Sequence, residues 1–342
     1  MGTHIPSIED TKELLKKNQI GIIGVGETDQ GKIPGKSSFH FLSEASKLAI
    51  EDAGIQKSDV DGIITAFSLV EETFMHCTTF ADYMGINPKY FESVAIGGAT
   101  AVWMTAAAAM AINSGQAEVV LCVRGDNTLS GISSTGMIAL IREMCHGEFE
   151  FPFGLTTPGG YALMANRYLY ETKGKREHLH SVAVTMRQHA KLKENAMMKD
   201  DLTLDDIMAT RLLASPLTKY DCSIVSDGGA AFIVTTNAKA KELGLKRDLI
   251  YLHGMGQGFS HQYLTSCENL EQIYGAVEKS GKKAFETAGM TNDNVDITFL
   301  YDCFTITTLL ELEGLGIVPK GQAGAYALEG RLHKDADTPI NT

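Results

Sequence analysis

Apolar and polar residues alternate along this chain in blocks that switch between two periods. Ile20–Val25 is a short apolar run punctuated by glycine, which predicts a strand. Ser37–Ala53 carries apolar residues at helical spacing, and Gly62–Phe67 returns to a strand pattern. Tyr90–Ile96 predicts a strand that runs into Gly97-Gly98. Ala99–Ile112 is alanine-rich and apolar around its whole circumference, so it is expected to be a helix covered on all sides. Glu118–Val123 is again a buried-type strand. Residues 125–220 are more polar, with scattered aromatics and a basic stretch from Lys173 to Lys193, and predict a mostly helical excursion. Beyond it, Gly228–Thr236, Ile250–Met255 and Ile297–Leu300 predict strands, and Ala238–Leu243, Leu270–Ala288 and Thr307–Leu315 predict helices. Strands alternating with helices predict an α/β protein with a mostly parallel, doubly wound sheet in each half. Residues 1–18 are expected to form a charged, partly helical extension.

The pattern repeats. Ala49, Glu51, Ala53, Gly54, Val60 and Asp61 recur, without a gap and at a constant offset, as Ala284, Glu286, Ala288, Gly289, Val295 and Asp296. In both copies a helix ends at a glycine, where the left-handed backbone costs least, and a strand follows. The spacing is far too long for a solenoid. A duplicated chain brings two similar halves together, and their interface is a place for a site. The boundaries expected are 19–124 plus 225–245 for a first half, 125–224 for an inserted loop domain and 246–342 for a second half. The second half stops at Pro339–Thr342, about where its own glycine pair and buried helix should begin, so the chain is expected to be truncated there.

Composition narrows the function classes. The chain has 342 residues, enough for about two domains. A net charge of −12 argues against non-specific nucleic-acid binding and leaves any anionic ligand to be held by local groups such as helix N-termini. Six cysteines (77, 122, 145, 222, 267 and 303) form no CxxC pair or zinc spacing, and ten histidines form no HxxxH or HExxH pattern, so no metal is expected. Without a signal-type N-terminus or an apolar run long enough to span a bilayer, a reducing, cytoplasmic setting is expected.

Five segments are weighed for chemistry. Gly24 would open a GxGxxG fingerprint, but Asp29 stands where the last glycine is needed, which counts against dinucleotide binding. Gly254, Gly256 and Gly258 suit the close approach of a strand end to a neighbour, with Gly256 also a candidate contact for substrate or oxyanion. Gly97 and Gly98 precede the apolar helix, where free N–H groups can hold an oxyanion; tight packing of strand on helix is the alternative. Tyr301-Asp302-Cys303-Phe304 follows the repeat strand of the second half. There Tyr301 could move a proton, Asp302 could orient a neighbour or cap the next helix, and Cys303 completes the polar cluster; a buried tyrosine with a helix cap is the alternative. Ser226-Asp227-Gly228-Gly229 suggests close sheet packing.

In these segments the chain resembles the thiolase superfamily, in the branch of sterol-carrier-protein-type thiolases and lipid-transfer-protein aldolases. The matching residues are Ile23–Thr28, the Ala-Gly-Ile…Asp-Val-Asp-Gly helix and strand, Gly97–Ile112 with Ser114-Gly115, Pro216-Leu217, Ser226-Asp227-Gly228, Tyr301–Phe304 and Gly321-Gln322-Ala323-Gly324. The resemblance implies a five-layer αβαβα fold of duplicated halves with a loop domain, and an enzyme acting on acyl-CoA. It also implies a homodimer, with a small zinc-ribbon/OB-fold partner subunit in some two-component relatives, coenzyme A as part of the substrate, and no covalently bound cofactor. Two departures matter. The family's nucleophilic cysteine falls on Gly98, and the histidine of its His-Asp-Cys-Phe motif is replaced by Tyr301, as in the aldolases. An acyl-enzyme at position 98 is therefore unavailable. Retro-aldol cleavage of a β-hydroxyacyl-CoA, with Tyr301 in proton transfer and Gly97 and Gly98 holding the thioester oxygen, is the expected activity. An atypical thiolytic cleavage, or a catalytically degenerate subunit that binds acyl-CoA or a partner, are the alternatives.

Overall fold

The computed structural model describes residue 13, residues 19–71 and residues 73–342. The predicted N-terminal extension lies outside these apart from Glu13. The described chain forms two compact units: residues up to 136 with 225–254, and residues 137–224 with 255–342.

The first unit is built on a six-stranded sheet. Its strands are β1 (Ile20–Glu27), β2 (Gly62–Ala66), β3 (Tyr90–Val94), β4 (Val119–Asp126), β7 (Gly228–Thr236) and β8 (Ile250–Tyr251), in the order β3-β2-β4-β7-β1-β8. Only β2 with β3 and β2 with β4 are parallel; β7 runs antiparallel to both β4 and β1, and β8 to β1. The sheet is thus mixed rather than mostly parallel. The chain reaches β7 through a hundred-residue excursion rather than a single crossover helix, so nothing compels a parallel return.

Alternate residues of each strand serve opposite faces. Ile23, Ile63, Leu121 and Ile233 pack against Leu42, Ala45 and Ala49 of α1 (Ser38–Ala53) and Phe80 of α2 (His76–Met84). Ile20, Ile64, Val120 and Val234 pack against Met104, Ala107 and Ala108 of α3 (Thr100–Asn113). Helix α3 is the all-apolar helix of the sequence; its middle turn, Ala106–Ala109, is buried all round, while Val102 is 78% exposed and Met110 45%.

The second unit is mainly helical: α4 (Thr157–Thr172), α5 (Arg176–Ala190), α6 (Leu270–Ala288), α7 (Thr305–Gly314) and α8 (Ala323–Leu328), with a two-stranded ladder of β5 (Leu212–Ala214) and β6 (Leu217–Thr218). Leu179, Leu217, Leu270, Ile306, Leu309 and Leu312 form its core. The strands predicted at Ile250–Met255 and Ile297–Leu300 are not realised at that length. The first keeps two residues, and the second makes a single bridge, Thr298 to Ile340. A strand needs a ladder to persist, and beyond the Leu252 N–H, which donates to the Ile20 carbonyl, no ladder extends along the rest of either segment among the described residues.

The duplication is visible bond by bond. Helix α1 ends at Gly54 (φ 72°), whose N–H donates to the carbonyls of Glu51 and Ile50; α6 ends at Gly289 (φ 67°), whose N–H donates to those of Glu286 and Phe285. A 3₁₀ turn follows each cap, Lys57–Asp59 and Asn292–Asn294. The glycine pairs upstream correspond as well. A Cβ on Gly24 or Gly26 would lie 2.4 Å from the Ala49 carbonyl oxygen or 2.3 Å from that of Ala45. A Cβ on Gly256 or Gly258 would lie 2.1 Å from the Ser280 oxygen or 1.8 Å from that of Ala276. In each copy two glycines let an extended segment lie directly on the helix backbone.

Candidate active site

Four restraints in the second unit hold the segment 301–305. The Tyr301 N–H donates to Glu311 Oε2 at 3.0 Å. The Cys303 carbonyl accepts from the Ser223 N–H at 2.9 Å. Cys222 and Phe304 form an antiparallel bridge. The Thr305 hydroxyl donates to Asp221 Oδ1 at 3.1 Å. Asp221 is itself fixed by the Thr218 N–H (2.7 Å), the Thr218 hydroxyl (2.8 Å) and His180 Nδ1 (2.8 Å). Burial opposes ionisation of Asp221, but these hydrogen bonds, His180 foremost, hold its carboxyl below the usual range. The backbone of the Tyr-Asp-Cys-Phe segment is thereby pinned on both sides before helix α7 begins.

The side chains of this segment form a cluster. The Cys303 thiol lies 3.4 Å from the Tyr161 hydroxyl, to which it donates, and 3.4 Å from Thr307 Oγ1. The Tyr161 ring stacks on Phe304 with centroids 3.9 Å apart and planes 15° from parallel. Burial, then the neighbouring Cys303, pushes the Tyr161 phenol up, so it stays protonated at neutral pH. Tyr301 is half exposed, and Asp302 is exposed. Asp302 is not a helix cap: the N-cap residue of α7 is Phe304, without a side-chain cap bond. Glu311, in the last turn of α7, faces this cluster. Burial pushes its carboxyl up to about 7, opposed by the Tyr301 hydrogen bond and reinforced by the charge of Asp302.

The chemistry open to the cluster is proton transfer rather than thiol attack. All six cysteines are free thiols. Burial raises every one of them, Cys303 included, and takes Cys222 to about 11. A nucleophilic cysteine needs the opposite shift.

The other sequence-predicted residues fall elsewhere. Gly97 and Gly98 lie in the first unit, in a 3₁₀ turn (Gly97–Ala99) that leads into α3. Gly97 has φ 70°, and a Cβ there would meet nothing within 4 Å, so the glycine answers a backbone requirement and leaves open space before the helix. Thr100 closes the turn, donating its hydroxyl to the Gly97 carbonyl at 2.7 Å. Gly256 is in the second unit, pressed onto α6 as described above. Asp227 proves structural: its carboxylate accepts from the N–H groups of Ile33 (2.7 Å) and Ser130 (2.9 Å). Tyr161, Thr307 and Glu311 were not singled out by sequence. The signal for Glu311 was present, an acid in the run Leu309-Leu310-Glu311-Leu312 of an apolar helix, but its partner is not sequence-adjacent.

Among the described residues no helix is long and apolar enough to cross a membrane, and no group of three or more His, Cys, Asp or Glu could hold a metal ion.

Comparison with known proteins adds four findings. Residues 256–342 match the family described as thiolase C-terminal domain-like. The chain is 34% identical to a steroid side-chain-cleaving aldolase of Thermomonospora curvata, over 94% of this chain and 83% of that protein. It is 31% identical to a 17-hydroxy-3-oxo-4-pregnene-20-carboxyl-CoA lyase of Mycobacterium tuberculosis, over 96% and 86%. Among solved structures it is similar to an Ltp2-ChsH2(DUF35) aldolase, with TM-score 0.82 and 32% identity over 95% of this chain and 84% of that one.

Proposed function

Because the chain belongs to the thiolase superfamily, in the branch of sterol-carrier-protein-type thiolases and aldolases, we propose that it cleaves or forms a carbon–carbon bond of an acyl-CoA by aldol chemistry, without an acyl-enzyme. The substrate class is a β-hydroxyacyl-CoA. The observation that carries this is the Tyr301–Cys303 cluster: a half-exposed tyrosine stands beside a buried, protonated thiol and a protonatable carboxyl.

In the cleavage direction Tyr301, as phenolate, accepts the proton of the β-hydroxyl. The C–O bond becomes a carbonyl as the Cα–Cβ bond breaks, and the electron pair passes to the α-carbon and thioester as an enolate. A proton returned to the α-carbon releases the shortened acyl-CoA. Within the first unit, the turn of Gly97 and Gly98 is open before α3 and leaves room for an oxyanion at its amides. Asp302 and Cys303 line the substrate, and Gly256 supports the site by packing α6. Residues 125–224 form the loop domain inserted in the first thiolase half. Coenzyme A enters as part of the substrate, and six free thiols favour a reducing, cytoplasmic setting.

The relatives support a bulky, steroid-like acyl group, since two of them are described by steroid substrates. A homodimer, with a small zinc-ribbon/OB-fold partner subunit that helps bind the CoA phosphates, completes the proposal. In support, the similar solved aldolase carries a two-part description, Ltp2-ChsH2(DUF35). Light scattering after co-expression tests the assembly, and a fully active monomer would sink it.

The deciding assay is incubation with a panel of β-hydroxyacyl-CoAs, linear and steroid-derived, with mass spectrometry of both fragments. Shortened acyl-CoA and its ketone or aldehyde in equal amounts are expected. Acyl transfer to free CoA would indicate thiolytic chemistry instead. Binding without turnover across the panel, with the partner present, would mark a degenerate subunit.

A further inference from the structure

We propose that Glu311 is a positioning residue for proton transfer at Tyr301: its carboxyl holds the Tyr301 backbone in place, and it must be neutral for the cluster to carry negative charge. This rests on the aldol reading above.

The geometry supplies three reasons. First, the carboxyl accepts directly from the Tyr301 N–H, so the placement of Tyr301 depends on it. Second, the titratable groups around it are Tyr301, Asp302 and Cys303 from the segment before α7 and Tyr161 from α4. Among the described residues named here there is no cation, so an ionised Glu311 opposes further negative charge there, and it already raises Tyr161 and Cys303. Third, the other acid on the helix, Glu313, is engaged elsewhere, by the hydroxyls of Tyr168 on α4 and Tyr274 on α6 and by the Ala323 N–H that opens α8. Two glutamates two positions apart thus have separate tasks. Glu313 ties helices together, while Glu311 faces the cluster.

The sign follows from chemistry. Proton abstraction from the substrate hydroxyl starts from a phenolate at Tyr301, and a carboxylate beside it disfavours that anion. Turnover needs the Tyr301 phenolate and the neutral Glu311 together, and a phenol ordinarily titrates well above the value near 7 of Glu311. Turnover should therefore rise with pH up to neutrality, as phenolate forms, and level off above it, where each gain in phenolate is matched by a loss of neutral Glu311. Glu311 keeps its proton throughout the reaction.

Two measurements on the full chain test this. The first is kcat/KM against pH with a β-hydroxyacyl-CoA. The wild type should level off above neutrality. Glu311→Gln keeps an acceptor for the Tyr301 N–H without a charge, so it should keep rising above neutrality, by about tenfold per pH unit while the phenol is still mostly protonated. Glu311→Ala, which also loses the acceptor, should lower kcat at every pH. The second needs no turnover. In protein labelled with ¹⁵N-tyrosine, the Tyr301 amide resonance, identified by its loss in Tyr301→Phe, should move with a neutral midpoint in the wild type and stand still in Glu311→Gln. A levelling that survives in Glu311→Gln, or a wild-type Tyr301 amide that does not titrate, overturns the role. If the wild type cleaves no member of the panel, the aldol reading fails, while the amide titration still decides whether Glu311 holds and senses this turn.

Discussion

Removing the hydroxyls that converge on Glu313 should loosen the helical frame on which the site is built, and unequally. Glu313 is 2% exposed. Its Oε1 accepts from the Tyr168 hydroxyl (2.7 Å) and the Ala323 N–H (2.9 Å), and its Oε2 from the Tyr274 hydroxyl (2.7 Å). Burial first, and then Glu313 itself, push both phenols up, so both remain donors at neutral pH. A hydrogen bond to a charged partner contributes roughly 1.5–3 kcal/mol, and that is the expected cost of Tyr274→Phe. Tyr168 has a second bond, since its oxygen accepts from the Gly324 N–H at 3.4 Å. Tyr168→Phe should therefore cost about 1 kcal/mol more, a typical neutral hydrogen bond. The double variant leaves Glu313 with the Ala323 N–H alone, and should approach the 3–5 kcal/mol typical (roughly) of a buried charge stripped of its partners. Urea unfolding followed by tryptophan-independent circular dichroism gives the three values from the shift in midpoint at constant slope. Costs below about 0.5 kcal/mol for both single variants, the level of an exposed substitution, would refute the picture of Glu313 as the tie between α4, α6, α7 and α8. An order in which Tyr274→Phe is the more damaging would refute the accounting of its bonds.

Three further outcomes are expected. Tyr301→Phe should lower turnover by roughly 10²–10⁴, the scale of a general acid–base contribution, with acyl-CoA binding retained in calorimetry; activity within about threefold of the wild type would take Tyr301 out of the mechanism. Gly258→Ala places a Cβ 1.8 Å from the Ala276 carbonyl oxygen, and should lower stability by about 1–3 kcal/mol or more by overpacking, whereas an unchanged melting temperature would mean that the segment lifts off α6 freely. Iodoacetamide should show no substrate-protected inactivation, because all six thiols are raised; protection mapped to Cys303 or Cys145 would restore a covalent route.

Much of this protein is local and was legible in the chain. Helix ends at Gly54 and Gly289 follow from the one residue that takes a left-handed turn without strain. The strand at Gly228–Thr236 and the helix at Leu270–Ala288 follow from periodicity alone. The absence of a thiol at position 98 and the tyrosine at 301 are matters of identity, readable without coordinates. Other features depend on which segments meet. The direction of β7 between β4 and β1 is a property of the path taken by a hundred intervening residues, which no local pattern encodes. The segment 297–300 has the composition of a strand but the pairing of a single bridge, because a ladder requires a neighbour. Gly256 suited close packing first in the sequence, and the Ser280 carbonyl lying where its Cβ would stand is the tertiary contact behind that packing. Glu311 and Glu313 are chemically the same residue two positions apart. Their difference, one facing Tyr301 and the other bonded to Tyr168 and Tyr274, was decided by tertiary structure, since burial and partners set what a carboxyl does and both come from distant parts of the chain.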